Sequence, residues 1–301
     1  MAWTKRELDE ALIAYERELV KAGRTLGTIT TYVGDARRFV DWLDGGRPTA
    51  RSWTPRPHLP RGVTGAFRRV PSVGLIPPPP ALRELVRSWV ASGRPGQVGI
   101  AWPRDRWTRA LPRQRSLLHG LPDLLDRDAV RRVAAGAAES EAASEAAFIA
   151  TMVWGFGWVG YGPHRTSQML ALSETRARLN AVARAVRDDG AAAAYIRLAS
   201  DCRIKGLGPA FGTKFVAFCQ PMGARPMALI HDELVSSWLT AHGRLDLASR
   251  GWSPATFGAY LFQMHAWADG LDVSPETVEY LIFQSVADAR GNQWATPRGG
   301  T

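Results

Sequence analysis

From Pro122 onward, apolar residues recur at helical spacing almost to the end of the chain, broken only by turns rich in Gly and Pro. Ser253-Pro254 and Ser274-Pro275 each place an N-cap before a proline at the first helical position. The pattern predicts helices near 126–136, 141–154, 163–172, 174–187, 190–200, 210–219, 231–241, 254–269 and 275–288. No strand alternation persists beyond a few residues, and no internal repeat is visible. The fold class is therefore mainly α. The 301 residues are enough to bury a substantial core.

The N-terminus is also helical, but it stands apart. Thr4 and Glu7 form a capping-box pattern ahead of Leu8, Leu12, Tyr15 and Leu19. After Gly23, a second stripe runs through Ile29, Tyr32, Val33, Ala36, Phe39, Val40 and Leu43 to Gly45-Gly46. Residues 1–45 thus read as a small helical arm. Residues 46–121 are rich in Pro and Arg, with a tetraproline at Pro77 to Pro80. They read as a linker or wrapping segment with one short helix, Ala81 to Ser92, and an irregular stretch from 93. Trp102 and Trp107 in that stretch either pin a loop to the core or stack on bases, the first being the commoner use. Residues 122–290 form the main helical domain, and 291–301 a frayed tail.

Charge narrows the partner. Basic residues number 38 against 28 acidic, a formal net charge of +10, and only four of the 38 are lysines. Nucleic acid is the default partner for such a surface, although GC-rich coding also enriches arginine. Nothing approaches the roughly 18 unbroken apolar residues of a membrane span, and MAWTKRELDE puts charges where a signal peptide needs an apolar run. A cytoplasmic protein without membrane contact is expected. Two cysteines, Cys202 and Cys219, exclude a disulfide scaffold, a four-cysteine cluster and a zinc ribbon. The six histidines are scattered without an H-x-x-x-H pair, and no P-loop, dinucleotide fingerprint or G-x-S-x-G element occurs. Neither a metal nor a cofactor is expected.

The most informative stretch runs from Ile204 to Cys219, IKGLGPAFGTKFVAFC. A helix enters a Gly/Pro-rich turn, and a new helix starts near Ala210. Gly206, Gly208 and Gly212 permit tight turning and close backbone approach. The new helix offers unpaired N–H groups and a positive dipole end, which together hold a phosphate. Gly206, Gly208, Ala210, Gly212 and Thr213 are the candidate DNA-backbone contacts, and Arg165 is a further candidate phosphate contact. Phe211, Phe215 and Phe218 share one face of that helix, and Lys214 lies one step to its side. A lysine so placed is either a nucleophilic amine or a snorkelling phosphate contact. Asp232 follows eighteen residues later, at the start of another helix, where aspartate is also a preferred cap.

Gly208-Pro-Ala-Phe-Gly-Thr-Lys214 followed by Asp232 resembles the helix–hairpin–helix, Gly/Pro-loop, Asp superfamily of DNA glycosylases. The Gly-Thr-Lys ending is similar to its 8-oxoguanine glycosylase branch. The segment Trp154 to Leu170, WGFGWVGYGPHRTSQML, resembles a prokaryotic subgroup with the same fold, some of whose members act in phage defence on bulky modified bases. The likeness covers roughly 122–290. It departs from the usual hairpin at Ala210, where glycine is common, and lacks the cysteine cluster of the endonuclease III branch. It implies a helical glycosylase fold, with Lys214 as nucleophile and Asp232 as its acidic partner. Residues 4–44, with TLGTITTYVGDARRFVDWL, are similar to the DNA-holding arm of tyrosine recombinases. No matching Arg…His-x-x-Arg…Tyr series follows; His58-Leu-Pro-Arg61 has the spacing but lies in the linker.

The resemblance implies excision of a flipped base from duplex DNA carrying a modified or damaged base, with or without abasic-site lyase chemistry. The purpose would be base repair or defence against modified phage DNA. Trp154, Phe156, Trp158 and Tyr161 are candidate stacking walls of a base pocket, and equally candidate core residues. His164 and Gln168, one helical turn apart, are candidates for reading a base edge. The competing reading is a DNA-binding module that keeps the clamp without catalysis.

Overall fold

The computed structural model describes residues 4–21 and 76–291. The chain divides into two units, Met1–Val63 and Thr64–Thr301. In the first unit, α1 (Lys5–Lys21) opens on the expected capping box: the Thr4 N–H donates to Glu7 Oε2 at 2.7 Å, and the Glu7 N–H donates to Thr4 Oγ1 at 3.4 Å. The second helix expected in the arm, the segment from 46 to 75 and the tail from 292 lie outside the described residues.

In the second unit, α2 (Pro80–Ala91) precedes a short antiparallel pair, β1 (Ile100–Ala101) with β2 (Leu124–Leu125), in the register Ile100 to Leu125. Between the strands lie α3 (Arg104–Ala110), a 3-10 turn (Pro112–Gln114) and α4 (Arg115–Gly120). Residues 93–121 are thus more regular than their sequence suggests. Trp107 is fully buried, and the buried Trp102 donates its indole N–H to Pro122 O at 2.8 Å. Both tryptophans pin this segment to the core.

The helices α5 (Arg127–Ala134), α6 (Glu141–Phe156), α7 (Gly162–Leu170), α8 (Thr175–Asp189), α9 (Ala191–Ala199), α10 (Pro209–Cys219), α11 (Glu233–His242), α12 (Pro254–Leu271) and α13 (Pro275–Ala289) build the body. Serine caps start three of them: Ser140, Ser253 and Ser274 accept from Ala143, Thr256 and Thr277 N–H groups. Each such cap contributes about 1 kcal/mol. Helix α6 is central; every residue from Ala147 to Trp154 is buried, with α5, α8 and α10 packed around it.

Two polar clasps hold the periphery. Gln263 on α12 holds both backbone groups of Ile76, at 3.2 and 2.8 Å, and Trp267 Nε1 donates to the same carbonyl at 2.7 Å. Arg127 at the start of α5 is buried against α13. It donates to Glu279 at 2.8 and 3.0 Å, to Glu276 at 2.8 Å and to Gln97 Oε1 at 2.6 Å. Among the described residues, no helix is long and apolar enough to cross a membrane.

Candidate active site

The turn between α9 and α10 takes its shape from its glycines. Gly206 has φ +90°, a conformation that a side chain disfavours, and Gly208 is extended at the N-cap of α10. Pro209 fills the first helical position, and no side chain caps the helix. Its first N–H groups and positive dipole end are left for an acceptor from outside. Arg165 on α7 donates from Nε and Nη2 to Gly206 O, at 3.1 and 2.6 Å. Arg178 on α8 donates to Arg203 O at 2.6 Å. Arg165 therefore shapes the turn through its carbonyl.

Lys214 lies on the second turn of α10, and Asp232 caps α11. Their side chains meet: Lys214 Nζ donates to Asp232 Oδ2 at 2.9 Å, and both are nearly buried, at 9% and 12% exposure. The other carboxylate oxygen, Oδ1, accepts from the Leu234 and Val235 N–H groups at 3.1 and 3.2 Å. One aspartate thus serves as cap and ion-pair partner together.

The backbone leading to Asp232 is fixed on both sides. Gln220 staples the Gly/Pro loop, donating to Pro226 O at 2.8 Å and accepting from the Ala228 N–H at 2.6 Å. The His231 N–H donates to Thr213 Oγ1 at 3.1 Å, which ties the residue before Asp232 to the residue before Lys214. The His231 ring stacks on Tyr260 with centroids 4.4 Å apart and donates from Nε2 to Leu247 O at 3.0 Å. Tyr260 in turn donates its hydroxyl to Ile230 O at 2.6 Å.

Burial works against the Asp232 carboxylate. The Lys214 charge, its hydrogen bond and the Val235 N–H outweigh that effect and hold Asp232 below the usual carboxylate range. Burial pushes His231 down to about 4, against the opposing pull of the Leu247 carbonyl and of Asp232. His231 is neutral in the folded chain at pH 7. Below its ordinary value of 6.5, the unfolded chain takes up a proton that the folded chain refuses. Stability is therefore expected to fall by on the order of 3 kcal/mol as the pH drops from 6.5 to about 4. Asp232 adds a further loss at lower pH, as its native pairing is protonated away. Urea titrations across this range on wild type and His231→Gln check the assignment, since the amide keeps a donor for Leu247 without a titrating group. An equal acid slope in both proteins would refute it.

The remaining sequence candidates fall into three groups. Gly212 and Thr213 are buried. A Cβ on Gly212 would meet the Trp252 ring at 2.4 Å, and Thr213 serves His231, so both act on packing rather than on a DNA surface. Gly206 is exposed, while Gly208 and Ala210 are half-buried at the helix start. The proposed pocket walls divide. Trp154 is inside the core, edge-on to Phe218 at 5.1 Å and with Arg127 5.4 Å from its ring centre. Phe156 is also buried, stacked on Phe211 at 4.3 Å and met edge-on by Tyr161 at 5.3 Å. Trp158 is half-buried, and Tyr161, His164 and Gln168 are exposed. Of these six, Phe156 and Tyr161 are brought into contact. Sequence reasoning left Phe211 out of the site, although it precedes Lys214 by three residues and so shares its side of α10.

Comparison with family models matches residues 93–283 to the family described as "Putative 8-oxoguanine DNA glycosylase OGG-like protein". The chain belongs to this family. The OGG-like match spans the hairpin, Lys214 and Asp232, and it agrees with the mainly helical architecture. It also reaches back to residue 93, and so takes in the strand pair and the two short helices ahead of β2. The OGG-like family is one of DNA glycosylases, and DNA is the partner it implies. No curated protein and no solved structure matches the chain.

Proposed function

We propose that the chain excises a modified base from duplex DNA, with Lys214 as the attacking amine and Asp232 as its acidic partner. The observation that carries the proposal is the buried 2.9 Å contact between Lys214 Nζ and Asp232 Oδ2, beside a helix N-terminus that no side chain caps.

The target atom, C1′, lies beneath a stacked base, so the nucleotide must first leave the helix. The first turn of α10 holds a phosphate through backbone N–H groups, which grips DNA without reading its sequence. Lys214 becomes nucleophilic when its ammonium gives up a proton, and Asp232 is the acceptor in contact with it. The amine forms a bond to C1′ as the glycosidic C–N bond breaks, and the base leaves with the bonding electrons and takes up a proton. Asp232 hands its proton to the departing base, and the carboxylate so restored offsets the positive charge that develops on the sugar. Ring opening then gives an imine between Lys214 and C1′, from which β-elimination cleaves the strand and water releases the amine.

Borohydride trapping tests this directly. The substrates are duplexes carrying 8-oxoguanine, uracil, hydroxymethylated or glucosylated cytosine, or an abasic site, with Lys214→Gln as control. A covalent adduct on one duplex, absent in the variant, is the expected result and names the base. Excision revealed only by alkali, without an adduct, would make Asp232 an activator of water and the enzyme monofunctional. No excision on any duplex, with DNA binding retained, would leave a binding module.

A further inference from the structure

We propose that Phe211 is a specificity-determining residue that occupies, in the free protein, the place an extruded base takes above Lys214; the inference rests on the glycosylase reading above. Phe211 is half-buried on the first turn of α10, and its ring is stacked on Phe156 with centroids 4.3 Å apart and planes at 28°. Lys214 Nζ lies 5.5 Å from the centre of the same ring. The α6 backbone also closes in on both side chains. A Cβ on Gly155 would stand 2.6 Å from Phe211 Cε1 and 3.2 Å from Lys214 Cδ, so only glycine lets ring, amine stem and helix approach this closely. Phe156 in turn meets Tyr161, which is 58% exposed, at 5.3 Å between ring centres, so the aromatic layer runs from the amine to the surface.

Lys214 is therefore held by Asp232 and covered by Phe211. Its amine reaches a sugar only after the ring leaves the face of Phe156. A stacked phenyl ring yields to a group that stacks better. An offset aromatic pair matches the weaker end of base stacking and is exceeded by a large flat base. Purines displace Phe211 readily; a pyrimidine or an abasic site does so poorly. Phe211 also sits on the helical turn that would hold the phosphate, so the cover and the grip move on one element.

Reductive methylation of the free, full-length chain with formaldehyde and a borane reads the cover without DNA. In this reaction the lysine amine and formaldehyde form an imine and water, and the borane hydride reduces the imine to a methylamine. Exposed Lys205 is the internal reference. Lys214 is expected to methylate about tenfold more slowly than Lys205, and Phe211→Ala to remove most of that difference while leaving Lys205 unchanged. Phe211→Leu keeps apolar bulk without a stacking face and is expected to lie between the two, so a misfolded alanine variant leaves the test intact. In borohydride trapping on an abasic duplex, which offers no base, Phe211→Ala is expected to react about tenfold faster than wild type. A merely structural ring would slow that reaction. Adducts from a wild type whose Lys214 methylates as fast as Lys205 would keep the glycosylase reading and overturn this inference. Faster methylation in the variant, with neither an adduct nor alkali-revealed excision on any duplex, would overturn the glycosylase reading, and with it the base as the displacing group.

Discussion

Asp232→Ala is expected to destabilise the chain by about 4–5 kcal/mol and to reduce excision by about 10²- to 10⁴-fold. Two losses coincide at one side chain. The α11 cap disappears, leaving the Leu234 and Val235 N–H groups without their acceptor. Lys214 is left almost buried without its counter-charge, and breaking a buried pair from one side is the larger of the two terms. Asp232→Asn separates them. The amide oxygen still caps the helix, but the NH2 that replaces Oδ2 cannot accept from Lys214, take its proton or offset charge on the sugar. Its stability should therefore exceed that of the alanine variant by about the 1 kcal/mol of the cap, while excision falls as far as in the alanine variant. Urea unfolding and single-turnover excision on both variants give the comparison. An alanine variant as stable as wild type would mean that the pair carries no structural weight.

Arg127→Ala is the second large effect, expected at about 3–5 kcal/mol with no direct role in chemistry. Glu279 is only 1% exposed, and Arg127 carries both of its carboxylate oxygens. Burial already pushes the Glu279 carboxyl up, with Arg127 opposing. Without the guanidinium, the folded chain keeps a proton on Glu279 that the unfolded chain releases. The variant should thus be more stable at pH 5 than at pH 7. Arg127→Met combined with Glu279→Leu removes both charges and should recover most of the loss, because an apolar pair of similar volume avoids desolvation. Failure of the double variant to recover would place the effect elsewhere, in Gln97 or in the cation above Trp154.

The parts of this molecule that were legible in its sequence are those governed by local rules. Ser253-Pro254 and Ser274-Pro275 start helices because cap and proline act within one turn. The pairing of Lys214 with Asp232 was anticipated through family likeness, and the structure brings the two side chains together across eighteen residues. The aromatic and glycine run from Trp154 to Gly162 was ambiguous for a physical reason. Glycine beside an aromatic ring serves equally to line an opening or to admit a ring from a neighbouring helix. Gly155 admits Phe211 from α10, a contact between distant elements, and Gly162 admits Phe156 from the end of the preceding helix. The strand pair at Ile100 and Leu124 was missed because two-residue strands carry no periodicity, and α3 because its start bears no side-chain cap. The Arg127 cluster was missed because its members are some 150 positions apart and each looks like ordinary helical surface charge.

The clasp on Ile76 bears on how the protein can be shortened. The region shared with the family begins at residue 93, yet α2 precedes it with Leu82 fully buried, and Gln263 and Trp267 both spend their polar groups on Ile76. A chain begun at residue 93 would open an apolar trough along α13 and leave two side chains in α12 searching for water. The smallest autonomous piece therefore starts no later than Ile76, well ahead of the shared region, and includes the prolines from Pro77 to Pro80.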